Sequence, residues 1–497
     1  NSIHEILKKN EAISPDDICA MPFGPIGCVE NASKRMPPKS VNISEEDFKA
    51  SVSVTRPNVN PIKILHVTDV HYDPKYVAGE ESSAELQKCT KTFGCCRNPT
   101  VKSSQKNFWG SYHFCDTPKS LLDNSLKQMA QRHSDVNLVY LTGDIVRHHI
   151  TEVNFDNLKE DSEYVFEKFM EAFKGKRILF ALGNHDTDVF GMFSPNQGGK
   201  SAQAKVYSFY KEWTKKLWKN GQLIDKANSI EWPSNGEGYY TVQLNKHFRV
   251  VVLNSNVPYF YNWWLLSEGH FYQQQLQWLE RVLNQAEKDH QKVHILSHIA
   301  PNHYSLLPGW SGLYEAIVKR YRNTIAAQFN GHSHYDEFSL VYDSDQPVSV
   351  AWNGGSLTPH ENKNPNYHVV TVEANIFTVS ALESFSMDLE EANKNRSIDP
   401  QWKLAYNMTQ EYSLSDLSLQ SLDGLVQSMA NDDALVEKFW RHKVKNSVRA
   451  GKGLSPECKA SVMCSIVTSK FEDPGRCEWI KNAITWSYDK SQICPSL

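Results

Sequence analysis

Thr324-Ile325-Ala326-Ala327-Gln328-Phe329-Asn330-Gly331-His332-Ser333-His334 is an apolar run of strand length that stops at a glycine and then offers two histidines one residue apart. Val, Ile and aromatic residues bounded by a glycine predict a buried strand. The same pattern recurs upstream. Ile64–Val67 precedes Asp69-Val70-His71, and Leu138–Leu141 precedes Gly143-Asp144. Ile178–Leu182 precedes Gly183-Asn184-His185-Asp186, and Val293–Leu296 precedes His298. Alone, an Asp-x-His is commonly a surface turn, and a histidine after a strand is commonly a hydrogen-bonded core residue. Five in succession, all at the carboxyl ends of strands, predict a site, because open α/β sheets assemble their sites there. The Asp-x-His and His-x-His spacings are read as extended segments that turn alternate side chains to one face. The glycines before Asp144, Asn184 and His332 predict tight turns and room for a phosphate. Carboxylate, amide and imidazole donors without a thiolate suit zinc, manganese or iron.

Outward from these motifs, helix-like stretches alternate with the strands, at Thr117–Arg132, Asp161–Phe173, Ala202–Lys219 and Tyr272–His290. That alternation predicts an α/β domain. Residues 346–380 read as further strands. Residues 29–60 are rich in Pro, Ser and Asn and read as a linker. The divisions are 1–28, a short helical segment; 29–60, the linker; 61–383, the domain with the motifs; and 384–497, a helical, cysteine-containing domain. The chain has 497 residues, 40% hydrophobic and 22% charged, an ordinary globular composition. A net charge of -4 gives no reason to expect a nucleic-acid partner. No run of about 18 apolar residues predicts a membrane span, and Asn1–Asn10 has no signal-peptide pattern. The ten cysteines cluster in three groups, which predicts local disulfides in an oxidising compartment. Sequons at Asn31, Asn42, Asn395 and Asn407 predict glycosylation.

The order of motifs resembles the calcineurin-like metallophosphoesterase superfamily over residues 61–380, and within it the acid sphingomyelinase family. The resemblance rests on Leu65–His71, Thr142–Ile145, Ala181–His185, His298–Pro301 and above all Asn323–Phe338, and extends through the cysteine-rich parts. It implies a two-sheet β-sandwich flanked by helices, a C-terminal helical disulfide-bonded domain, and an N-terminal partial saposin-like remnant around Ile13-Ser14-Pro15 and Cys19. It implies two zinc ions, one held by Asp69, His71, Asp144 and His334, the other by Asp144, Asn184, His298 and His332. A purple acid phosphatase would need a tyrosine three residues after the bridging aspartate, where this chain has Arg147.

By the same resemblance the protein hydrolyses sphingomyelin to ceramide and phosphocholine with a hydroxide activated by the two zinc ions. His148 and His185 are the candidates for protonating the leaving alkoxide, with His149 the rival one register away. Asp186 is read as orienting His185 or another partner of the ligands, and not as binding metal. His303 is read either as a partner of the metal ligands or as a solvated loop residue. Asp116, Tyr261 and His360 are the substrate-binding positions. The family has an acidic residue near Tyr261 and a tyrosine near His360, so headgroup recognition is expected to differ while the metal centre is unchanged. Other phospholipids or nucleotide phosphodiesters are the alternative substrates. A non-catalytic lipid-binding protein would be expected to have lost ligands, and none is lost. The aromatic stretch Val257–Leu266 is a candidate for docking to a membrane surface. The protein is expected to be secreted or lysosomal and monomeric. Proximity and resemblance pair Cys89 with Cys95, Cys96 with Cys115 and Cys464 with Cys477. Cys458 then pairs with Cys494 by remainder, and Cys19 with Cys28.

Overall fold

The computed structural model describes residues 60–89, 94–102, 106–195, 203–221, 230–234, 236–268, 271–470 and 474–485. The expected saposin-like remnant, the linker up to residue 59, Asn31, Asn42, Cys19, Cys28 and Cys494 lie outside them. The strands are β1 (Ile62–Val67), β2 (Gly79–Glu80), β3 (Val101–Lys102), β4 (Leu138–Leu141), β5 (Arg177–Phe180), β6 (Ile230–Glu231), β7 (Tyr240–Asn245), β8 (Phe248–Val252), β9 (Lys292–Ile299), β10 (Ile325–Gly331), β11 (Asp336–Asp343), β12 (Gln346–Gly354), β13 (Asn366–Val372), β14 (Val379–Met387) and β15 (Trp402–Asn407). They form a six-stranded sheet ordered β15-β14-β13-β1-β4-β5 and a seven-stranded sheet ordered β11-β12-β10-β9-β8-β7-β6, with β2 and β3 paired apart.

The central strands β1, β4 and β5 run parallel, as do β8, β9, β10 and β12. Parallel strands are covered on both faces, which is why these segments are continuous apolar runs. Alternation then sorts their side chains. Ile64, Tyr140 and Leu179 meet Val250, Leu296 and Phe329 between the sheets. Leu65, Val139 and Ile178 face outward under the helices Lys119–Arg132, Phe155–Ala172 and Ala204–Lys219. On the far side, Val251, Val293 and Ile295 are covered by the helices Tyr272–Lys288 and Pro308–Arg320. The second of these helices opens with Pro308 at its first position, so Pro308-Gly309 starts a helix although the pair resembles a turn.

The boundary expected at residue 384 falls inside β14, and β15 adds one more strand to the six-stranded sheet. Two short helices, Leu389–Lys394 and Met408–Glu411, flank β15, and the longer helices follow at Leu419–Asn431, Asp433–Lys443 and Pro456–Val467. They bury Leu422, Val426, Met429, Phe439, Met463 and Ile466 in the same core as the strands. Ser418, Asp432 and Ser455 cap them through their side chains. Three of the expected disulfides form, Cys89–Cys95, Cys96–Cys115 and Cys464–Cys477; Cys458 is also disulfide-bonded. No helix among the described residues is long and apolar enough to cross a membrane.

Candidate metal centre

The ligand-bearing segments leave their strands and turn sharply. Asp69, His71, Asp144, His332 and His334 all have positive φ, at 51°, 42°, 53°, 76° and 57°. The extended geometry read from the Asp-x-His and His-x-His spacings is therefore not the one adopted. Each left-handed non-glycine residue costs about 1–3 kcal/mol and persists only where its surroundings enforce it. Here they do. The Asp69 amide donates to Gly143 O at 3.0 Å, His71 N to Asp144 O at 2.9 Å, and Thr358 N to Asp69 O at 3.0 Å. Glycines supply the closeness. A Cβ on Gly183 would lie 2.1 Å from Asp144 Oδ1, and one on Gly331 would lie 2.5 Å from Asp69 Oδ2.

Asp186 ties two of these loops together. Its carboxylate accepts from Gly183 N at 2.8 Å, Asp144 N at 2.9 Å, Ile145 N at 3.0 Å and Val146 N at 3.4 Å. Of the two roles read from the sequence, these bonds fit the holding of the ligand loops, and they go to backbone amides instead of the His185 ring. Arg147 turns away from the site into a buried ion pair with Asp161.

The seven expected ligands converge. His71 Nε2 lies 3.4 Å from Asp144 Oδ2 and 3.8 Å from Asp69 Oδ1, and His334 Nε2 lies 3.3 Å from Asp69 Oδ1. His298 Nε2 lies 3.2 Å from Asp144 Oδ2 and 3.0 Å from Asn184 Oδ1. Asp144, His298 and His332 bring their ligand atoms within 4.8 Å of one another. Backbone carbonyls hold two of the rings, since His71 Nδ1 donates to Val146 O and His298 Nδ1 to Thr142 O, both at 2.8 Å. Each ring is thereby fixed with its Nε2 turned toward the carboxylates.

These residues fit a pair of divalent cations. The fully buried His71 Nε2 has no hydrogen-bond partner among the described residues, an expensive state unless a cation takes its lone pair. Burial opposes a charge on His298, yet the Asp144 and Asp69 carboxylates push it up to about 9. Burial also opposes charge on Asp69, and His334 and His71 nevertheless hold it well below the usual carboxylate range. The cluster is an acidic core that calls for positive charge.

His148 is the histidine of the pair that enters the site. Its Nδ1 lies 2.6 Å from Asp116 Oδ1, and its amide donates to Asp116 Oδ2 at 2.7 Å. The ring is sandwiched between His71 and His360, with centroids 3.6 Å and 3.9 Å away. His149 instead faces Arg97 and Glu152. His185 donates its amide to Asp144 Oδ1 at 2.8 Å, and its ring lies between His148 and Phe190, 4.7 Å from each. Burial pulls the His185 ring well below its ordinary pKa.

The expected substrate-binding positions divide. Asp116 is buried with both oxygens on His148, so it holds a catalytic candidate and is closed to substrate. His360 is buried against His148, and neither of its ring nitrogens has a hydrogen-bond partner among the described residues. Tyr261 is half-buried at the rim beside Phe190 and Phe260. The aromatic stretch Val257–Leu266 is mostly core: Val257, Tyr259, Phe260, Trp264 and Leu265 are buried. Tyr304, packed on Phe260 and 53% exposed, is an exposed apolar side chain here that the sequence reading had not proposed for docking. Of the sequons, Asn395 is exposed, and Asn407 caps a helix through its Oδ1.

The wall behind His332 and His334 comes from the C-terminal helices. Lys445, buried, donates from Nζ to Ser356 Oγ at 2.5 Å and to Ser356 O at 3.3 Å. Asn364 Nδ2 donates to Lys445 O at 3.1 Å, and Lys443 pairs with Glu337 at 2.6 Å. Ser356 begins the loop whose Leu357 and Thr358 amides bond Thr68 O and Asp69 O.

Comparison with known proteins matches residues 62–336 to the calcineurin-like phosphoesterase family. Residues 356–486 match the acid sphingomyelin phosphodiesterase C-terminal region. The chain is 26% identical to sphingomyelin phosphodiesterase 2 of Caenorhabditis elegans over 85% of its own length and 71% of that protein's. It is 30% identical to sphingomyelin phosphodiesterase of Bos taurus over 84% of its own length and 65% of that protein's. A dimetal phosphatase from Danio rerio superposes with a TM-score of 0.39 at 14% identity, covering 69% of this chain and 99% of that one.

Proposed function

Because the chain belongs to the calcineurin-like phosphoesterase family, we propose that it is a phosphodiesterase that cleaves sphingomyelin to ceramide and phosphocholine at a di-zinc centre. The observation that carries this reading is the convergence of two carboxylates, an asparagine and four histidines on two adjoining positions, with an Asp116-gripped His148 at their edge. Asp69, His71, Asp144 and His334 would hold one ion and Asp144, Asn184, His298 and His332 the other. When bound, such a pair supplies Lewis acidity to the phosphate and a nucleophile at moderate pH.

The remaining work falls to the chain's own groups. A ceramide alkoxide is a poor leaving group and needs a proton. Asp116 accepts the hydrogen bond from His148 Nδ1–H and so directs the opposite nitrogen, Nε2, to deliver a proton to the leaving oxygen. The ring stack between His71 and His360 fixes the direction of that nitrogen. His185, held by its amide to Asp144, donates a hydrogen bond to a phosphate oxygen. Phe190, Tyr261 and Tyr304, packed on the buried Phe260, form a run of aromatic rings beside the site, suited to a substrate drawn from a membrane surface. Disulfides and sequons fit a secreted or lysosomal glycoprotein.

A second reading, hydrolysis of other phospholipids or nucleotide phosphodiesters, is favoured by His360. A buried imidazole with unpartnered nitrogens can take a polar headgroup that a choline lacks. A panel assay at acidic pH decides between them, using sphingomyelin vesicles, other choline lipids and nucleotides, each with and without added zinc. Zinc-dependent release of phosphocholine from sphingomyelin is expected. Turnover confined to nucleotides would replace the first reading with the second.

A further inference from the structure

His332 differs from the other ring ligands. His71 and His298 rest their Nδ1 atoms on carbonyl oxygens and point Nε2 inward. His332 has its Nε2 occupied, 3.3 Å from Ser305 Oγ. Ser305 Oγ in turn lies 2.6 Å from His303 Nδ1. Hydroxyl and imidazole can each donate or accept, so these two contacts alone leave the direction open. One further bond closes the question. The Ser305 backbone N–H donates to the same His303 Nδ1 at 3.3 Å. An amide can only donate there, so His303 Nδ1 carries the lone pair. The Ser305 hydroxyl must then give its own proton to that nitrogen. Its oxygen keeps only lone pairs for His332, so the His332 Nε2 must carry a proton.

We infer that Ser305, oriented by His303, is a positioning residue that fixes the tautomer of His332 and leaves Nδ1 as the nitrogen with a lone pair to offer a cation. The role rests on the dimetal reading above, and it is carried by a bond direction that a single amide determines. Ser305 is buried, at 2% exposure, so water cannot freely replace it. Without the hydroxyl, His332 is free to carry its proton on Nδ1, which closes that nitrogen to a cation. Outer partners of metal-binding histidines are typically worth about 10–100-fold in metal affinity.

The test is a zinc titration of purified, chelator-stripped full chain against a competing chelator, read as stoichiometry and two dissociation constants. Wild type, Ser305→Ala and Ser305→Thr are compared, with melting temperature measured on each metal-free protein. Two zinc equivalents are expected in wild type. In Ser305→Ala one of the two constants weakens by about 10–100-fold, and Ser305→Thr, which keeps the hydroxyl, stays within about threefold of wild type. Wild-type constants in Ser305→Ala overturn the role of Ser305 and leave the dimetal centre standing. Equal weakening in Ser305→Thr overturns it too, because the hydroxyl then does not matter. Wild type that takes up no zinc overturns the centre and this role with it.

Discussion

Replacing Asp186 with asparagine removes one oxygen and leaves the shape of the side chain intact. In the wild type, one oxygen accepts from Gly183 N and Asp144 N at 2.8 Å and 2.9 Å, and the other from Ile145 N and Val146 N at 3.0 Å and 3.4 Å. Asparagine can satisfy one pair only. Its NH2 group then faces two buried N–H donors. Leaving a buried donor unsatisfied costs about 1–3 kcal/mol, so the pair costs about 2–6 kcal/mol. That is a large part of an ordinary domain's stability of about 5–15 kcal/mol, though not all of it. The protein should fold, and the damage should fall on the two loops that Asp186 joins, which carry Asp144 and Asn184. The expected outcome for Asp186→Asn is a lower melting temperature and zinc affinity at least about tenfold weaker than wild type. Calorimetry and chelator competition measure the two effects. An unchanged melting temperature together with wild-type zinc affinity would refute the reasoning.

His148→Ala should lower turnover of alkyl phosphodiesters by about 10²–10⁴-fold and of activated aryl esters far less; parallel losses in a leaving-group series would argue against its acid role. Zinc affinity should fall as pH drops below 9, because His298, pushed up to about 9 in the metal-free cluster, must lose its proton before it can bind. Competition titrations at pH 6 and pH 8 read this directly, and identical constants at both would count against it. Leu422→Ala, at a fully buried site in the shared core, should destabilise the molecule by about 2–5 kcal/mol in a single transition. A separate early transition that left the cluster of Asp69, Asp144 and their histidines intact would show that the C-terminal helices melt alone.

The convergence of the seven candidate ligands was legible because chemistry and strand ends coincide in the chain itself. Their backbone was not. Asp69-Val70-His71 has the spacing of an extended segment, and only packing against Gly143, Asp144 and Thr358 drives it left-handed. Partners distant in sequence were also hidden. Asp116 meets His148 across 32 residues, and nothing near Asp116 announces the contact. Asp186 looked like a partner for its neighbour His185, since sequence adjacency favours that reading over four backbone amides. Val257–Leu266 looked like a docking surface because aromatic residues serve cores and interfaces equally well. The boundary at residue 384 overlooked the strand alternation of Trp402, Leu404 and Tyr406 in β15, because the helical spacing from Leu417 onward was extended back over it.

The lysine that reaches from the C-terminal helices to Ser356 has a bearing on how such proteins can be recombined. A chimera that joined this catalytic part to a relative's C-terminal part would have to match Lys445 to its Ser356 acceptor and Asn364 to the Lys445 carbonyl. A crossover placed between residues 356 and 445 breaks those contacts, which lie directly behind the loop that bonds Asp69. The exchangeable unit is therefore the joined pair of segments, and swaps that keep the two together should preserve zinc loading where swaps that split them lose it.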